Sequence, residues 1–149
     1  MPDARNPRLC RKTKTGLAAP FHKHCGKPLT RKGNTVTNRY LPTPVLNRVV
    51  EKDGLVFVGG TACDDTSLDI AGQTRQTIAK LETYLEAAGS DKSKLLFATI
   101  YLSDLSLKPA MSDVWAEWIP AESLPARATI CPGDLGPGVL IEVTLIAYK

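Results

Sequence analysis

The sequence predicts an α+β fold: a mixed β-sheet carrying two helices on one of its faces, in the order ββαβαββ. Three observations predict it. Two segments place their large side chains at steps of three and four, runs rich in β-branched and aromatic residues flank each of them, and short Gly, Asp, Ser or Pro turns separate the runs. A strand, helix, strand crossover of right-handed sense carries both helices to the same side of the sheet when the strand order advances consistently.

Each element follows in chain order. The run VLNRVVEKDGLVFVGG (residues 45–60) reads as two strands joined around Asp53-Gly54, a dipeptide suited to the left-handed backbone of a tight hairpin. In DIAGQTRQTIAKLETYLEAAG (residues 69–89), Ile70, Thr74, Ile78, Leu81, Leu85 and Ala88 form one helical face, with Asp69 as N-cap and Gly89 as the stop. KLLFATIYLSD (residues 94–104) is short and apolar enough to be a strand buried on both faces. A second helix spans about Leu107 to Trp118, with Met111, Val114, Trp115 and Trp118 on one side and Pro120 just past its end. Two strands, about Ala126 to Cys131 and Val139 to Tyr148, complete the chain. In the last one Val139, Ile141, Val143 and Leu145 alternate with Leu140, Glu142, Thr144 and Ile146. Both faces are therefore largely apolar, and the face without helices is expected to pack against other subunits.

The chain divides into a basic N-terminal extension, residues 1–38, and one domain, residues 39–149. The extension carries nine Lys or Arg against Asp3 alone, a net charge of +8, while the remainder carries ten against fourteen, −4. With Pro2, Pro7, Pro20 and Pro28 and few large apolar residues, the extension cannot bury enough surface to offset its ordering entropy and is expected to be disordered. It lacks the serines of a transit peptide and offers a nucleic acid only Phe21 to stack on a base, so no nucleic-acid partner is expected. His22, His24 and Cys25 form its one cluster of metal-ligand types, too small for a metal site without more ligands. Residues 1–35 are expected to be dispensable, Val36 being compatible with an alternative start. Cys10, Cys25, Cys63 and Cys131 lack a C-x-x-C pair and are expected to be free thiols, the latter two buried and inert. No apolar run exceeds about four residues, far below the roughly 20 of a membrane span, and no secretory leader follows Met1; a cytoplasmic protein is expected.

Several chemistries lack their residues in the domain. Both histidines lie in the extension, which excludes a Ser-His-Asp arrangement within 39–149. GDLGPG (residues 133–138) lacks the following Lys-Ser/Thr of a phosphate loop, and Asp64-Asp65 reads as a solvated turn. Arg127 and Glu142 remain, each a charge inside a strand-like run. The residues alone leave two readings open. The charges sit at a rim or pair with each other, or they build a pocket in which a guanidinium holds a small carboxylate and a carboxylate directs a water.

Taken together, GLVFVGG, GQTRQTIAKLETYLEAAGSDKSKLLFATIYLSDL, MSDVWAEWIP, PARAT and IEVTLIA resemble the Rid family (reactive intermediate deaminases, YjgF-like), in one of its outlying subgroups, over about residues 40–149. The resemblance implies a chorismate-mutase-like fold assembled as a homotrimer, with ligand clefts between subunits. It implies hydrolysis of 2-enamino and 2-imino acids of the 2-aminoacrylate type to 2-keto acids and ammonia, with no cofactor and no metal. Arg127 falls on the family's carboxylate-binding arginine and Glu142 on the glutamate that orients the attacking water. Gly60 falls on a backbone position of the cleft, and the backbone around Gly60 and Thr129 would orient the C=N group. This chain departs from the archetype where Val45 or Leu46 replaces a tyrosine, Gly59 a serine, Ser112 an asparagine and Thr129 a cysteine. The alternative expectation is a non-catalytic trimer that binds a small metabolite or a protein in the same cleft.

Overall fold

A computed structural model describes residues 36–149. The expectations placed on residues 1–35, including the His22–Cys25 cluster and the thiols of Cys10 and Cys25, lie outside the described residues. The strands are β1 (Thr37–Pro42), β2 (Asn47–Lys52), β3 (Leu55–Ala62), β4 (Leu95–Leu102), β5 (Ala126–Ile130) and β6 (Ile141–Tyr148); the helices are α1 (Ile70–Ala87) and α2 (Lys108–Trp118). They build one six-stranded sheet in the order β1-β2-β3-β6-β4-β5. Every neighbouring pair is antiparallel except β4 and β5, which are parallel.

One strand precedes the elements expected from sequence. The boundary placed at residue 38 falls inside β1, so Thr37 and Asn38 belong to the sheet. The strand is polar and ends in proline, which hides it from a pattern search, yet specific contacts hold it. Tyr40 packs against the core, and Asn38 Nδ2 donates to Glu51 Oε2 at 2.5 Å. Strand β6 begins at Ile141, two residues later than expected.

The turns and caps follow the local chemistry. Asp53 and Gly54 have φ of 55° and 83°, the left-handed pair that a two-residue hairpin requires. Asp69 Oδ1 accepts from the Gly72 N–H at 2.8 Å and caps α1. At the other end Gly89, at φ 75°, lets the Ser90 N–H return to the Leu85 carbonyl at 2.9 Å. A proline in its first turn starts α2.

The core lies between the helices and one face of the sheet. Val56, Val58, Ala98, Ile100, Leu102, Ile141, Val143, Leu145 and Ala147 join Leu81, Leu85, Met111 and Trp115 in a single buried cluster. Each fully buried large aliphatic contributes about 1.5–3 kcal/mol of transfer free energy. The opposite face is bare: Leu55, Phe57, Phe97 and Tyr148 are between 38% and 44% exposed. Consequently β4 is buried on one face only, not on both, because no element of the described chain covers its other side. Among the described residues no helix is long and apolar enough to cross a membrane.

Candidate functional site

Strand β6 lies at the middle of the sheet and aims Glu142 at the bare face, because Ile141 and Val143 on either side face the core. The facing segment of β3 is irregular: between the Val58–Leu145 and Thr61–Val143 pairs, Gly59 and Gly60 stand opposite Thr144 alone. The side chain of Thr61 donates back to the Gly59 carbonyl at 2.9 Å and fixes this bulge. A Cβ built on Gly60 would lie 2.5 Å from Glu142 Oε1 and 2.9 Å from its Cδ. The Glu142 carboxylate thus occupies the volume that any side chain at position 60 would need. It makes no ion pair among the described residues.

The approach to Glu142 is braced from behind. Gln73, fully buried on α1, donates to the carbonyls of Thr66, Leu68 and Gly138 at 2.9–3.2 Å and accepts from the Leu140 N–H at 2.9 Å. One amide therefore ties the β3–α1 connection to the loop that leads into β6.

Arg127 sits on β5, an edge strand, and the parallel register decides its face. It pairs with Ala98, which pairs in turn with Leu145, and both partners are buried beneath the helices. Arg127 therefore points to the helix side, with its guanidinium 5.9 Å from the centre of the Trp115 ring. The side chain is exposed and has no ion-pair partner among the described residues. It forms one wall of a cavity of about 400 Å³, whose other lining residues are Ser112, Trp115, Ala116, Leu124 and Pro125.

The expected residues thus form two groups on opposite faces. Gly59, Gly60 and Glu142 belong to the bare face, while Ser112, Thr129 and Arg127 belong to the helix side, Thr129 through its pairing with Ile100. The expectation that Arg127 and Glu142 share one pocket fails within a single chain, because the pleat sends them to opposite sides of the sheet. Val45 and Leu46 lie in the β1–β2 turn, 88% and 45% exposed. Trp115 was legible only as a core residue, since a tryptophan at helical spacing is usually just that; its position beneath Arg127 depends on the β4–β5 register. Cys63 is buried, which pushes its thiol pKa up, whereas Cys131 is exposed because it lies beyond the last residue of β5.

Two other hollows carry charges that are already paired. In the groove between α1 and α2, Arg75 meets Glu117 at 3.7 Å and the Trp118 ring N–H donates to Glu82 at 2.9 Å. Beside the β3–α1 connection, Lys80 meets Asp64 at 2.6 Å. Among the described residues no group of three His, Cys, Asp or Glu is placed to hold a metal ion.

Residues 37–149, from the first residue of β1 to the C-terminus, match the family model described as Endoribonuclease L-PSP. The chain belongs to this family. Relatives of this L-PSP family chain carry the group's other names. A RutC family protein of Haemophilus ducreyi is 30% identical over 112 residues, 75% of this chain and 91% of the relative. The protein mmf2, mitochondrial, of Schizosaccharomyces pombe is 35% identical over 110 residues, 69% and 86% of the two chains. Among solved structures, NMB1025 of Neisseria meningitidis, a member of the YjgF protein family, superposes with a TM-score of 0.75 at 30% identity, covering 78% of this chain and 98% of its own. The resemblance read from sequence is therefore borne out, and the L-PSP family fold extends over β1 as well.

Proposed function

We propose that the protein hydrolyses reactive 2-imino and 2-enamino acids to 2-keto acids and ammonia, in a site completed by two copies of the chain. The observation that carries this reading is the pair of uncommitted charges. Arg127 waits over Trp115 at the mouth of a cavity and Glu142 lies over Gly60, on faces that one chain cannot bring together. The bare apolar face supplies a reason for copies to associate, and a homotrimer is the assembly that the resemblance read from sequence implies.

In this reading Arg127 of one copy takes the substrate carboxylate through its parallel N–H donors, and Trp115 beneath keeps the guanidinium in place. Glu142 of a neighbouring copy accepts a proton from water as the oxygen attacks the imine carbon. The imine reacts in its protonated form, so its nitrogen becomes the amine of a carbinolamine. Glu142 returns its proton to that nitrogen, the C–N bond breaks to release ammonia, and the carbinol hydroxyl gives up its proton to Glu142 and so to solvent, leaving the 2-keto acid. An enamine enters after tautomerising to the imine. In the same reading, backbone groups at Gly59 and Gly60 of the copy that supplies Glu142, with the hydroxyls of Ser112 and Thr129 of the copy that supplies Arg127, would orient the C=N unit. Much of the acceleration is positional, because imines already hydrolyse in water. No step calls for a cofactor or a metal, and the reaction is assigned to the cytoplasm.

The test is direct. Imines generated by an amino-acid oxidase are trapped with semicarbazide, and addition of the purified protein should lower the yield of trapped product while ammonia and keto acid rise. Unchanged trapping would refute the enzymatic reading. If the same protein still bound 2-keto acids, the non-catalytic metabolite-binding trimer would take its place.

A further inference from the structure

We infer that Gln73 is a positioning residue for the reaction, fixing the end of β3 against the start of β6 and so the seat of the Glu142 carboxylate over Gly60; this rests on reading Glu142 as the group that directs water. Gln73 is fully buried within one chain, so its contacts are complete before a second copy is added. Its amide holds two segments at once. Nε2 donates to the carbonyls of Thr66 and Leu68, in the β3–α1 connection, at 3.2 and 3.0 Å, and to that of Gly138 at 2.9 Å. Oε1 accepts from the Leu140 N–H at 2.9 Å. The task needs donors and an acceptor on one neutral side chain, which an amide supplies.

The sheet ladder secures this end of β6 unevenly. Against β4 the pairing runs without interruption from Phe97–Ile146 to Leu102–Ile141. Against β3 it breaks at the Gly59–Gly60 bulge, beyond which the ladder consists of two residue pairs, Thr61–Val143 and Ala62–Glu142. The segment that carries Gly60 is therefore the loose partner, and Gln73 ties the chain that follows it to the chain that precedes Glu142. Leu140 is held at both of its polar groups, its N–H by Gln73 and its carbonyl by the Ser103 N–H at 3.1 Å. Gly138 shows how closely the two segments are drawn together. Its φ is 73°, and a Cβ built on it would lie 3.0 Å from Cβ and 3.1 Å from Oγ1 of Thr66. Displacement of either segment changes the spacing between Gly60 and the carboxylate, and a shift of about 1 Å at a reacting group can cost about a hundredfold in rate.

The experiment uses the full chain and two variants. Gln73→Met keeps a buried side chain of similar length and removes the amide's hydrogen bonds, whereas Gly138→Ala forces the two segments apart at Thr66 and leaves the amide itself in place. Imine hydrolysis is followed by semicarbazide trapping, pyruvate affinity by calorimetry, and folding and assembly by thermal melts and sedimentation. Both variants should lose at least about tenfold in kcat while KM and pyruvate affinity change by less than about twofold, because Arg127 on β5 is not moved. If Gln73→Met does not assemble, Gly138→Ala decides alone. A merely structural role would lower the melting temperature and leave the kcat of the folded protein unchanged. That result, or equal losses in kcat and in affinity, would overturn the inference and leave the reading of Glu142 intact. If Glu142→Gln hydrolyses imines as fast as the parent chain, that reading is itself wrong and the inference falls with it.

Discussion

Arg127 is exposed and Trp115 fills the space beneath it without depending on it, so its removal should spare the fold and reach the ligand alone. Arg127→Ala is expected to weaken binding of small carboxylates by about 1.5–3 kcal/mol, the value of a charge-assisted pair, with an unchanged melting temperature. Calorimetry with pyruvate beside a thermal melt checks both halves. Gly60→Ala should act the other way round in space: the new methyl lands on the Glu142 carboxylate, 2.5 Å from Oε1, and pushes it from its seat. We expect imine hydrolysis to fall at least about tenfold while carboxylate affinity barely changes, because Arg127 is untouched. Equal losses in both measurements would count against separate roles. Arg127 and Glu142 were legible in sequence because charges inside apolar strands ask for a reason. That they point to opposite faces was not, since the period of two gives each residue's neighbours but not how a parallel edge strand registers on β4.

At the scale of elements, β1 was the least legible piece. Beyond its pairing with β2 and the packing of Tyr40, its hold on the domain includes one buried carboxylate, Glu51, which no periodicity marks. Asn38, the Gly54 N–H at 3.1 Å and Lys149 at 3.7 Å converge on it from β1, the β2–β3 turn and the C-terminus. The Asn38 hydrogen bond first, then that from Gly54, hold the Glu51 carboxyl below its ordinary pKa, outweighing the upward push of burial, with Lys149 adding to the depression. The sign follows: the unfolded chain takes up this proton before the folded one does. The contribution is thus present in full above the ordinary glutamate value and is lost as pH falls through the folded-state value. Melting temperatures from about pH 7 down to pH 3 should decline less steeply for Glu51→Gln than for the parent chain. An identical slope would mean that Glu51 does not link β1 to acid stability. The helices and their caps, in contrast, were readable to within a residue, because Asp69, Gly89 and the three-and-four spacing each have a local cause.

For the whole molecule, the bare face is the feature that the single chain leaves unexplained. Leu55, Phe57, Phe97 and Tyr148 expose an apolar surface on the same side as Glu142. Sedimentation should therefore find an assembly, with the trimer expected, and a monodisperse species of 16.1 kDa would contradict that. The shared site is tested most directly by mixing two inactive variants, Arg127→Ala and Glu142→Gln, unfolding them together and refolding them in equal amounts. Each alone should be inactive. In a mixed assembly, an intact Arg127 on one copy can meet an intact Glu142 on its neighbour, and random reassortment should restore about one quarter of the parent activity. If the mixture forms hybrid assemblies and stays inactive, Arg127 and Glu142 do not meet across copies, and the proposed site is contradicted.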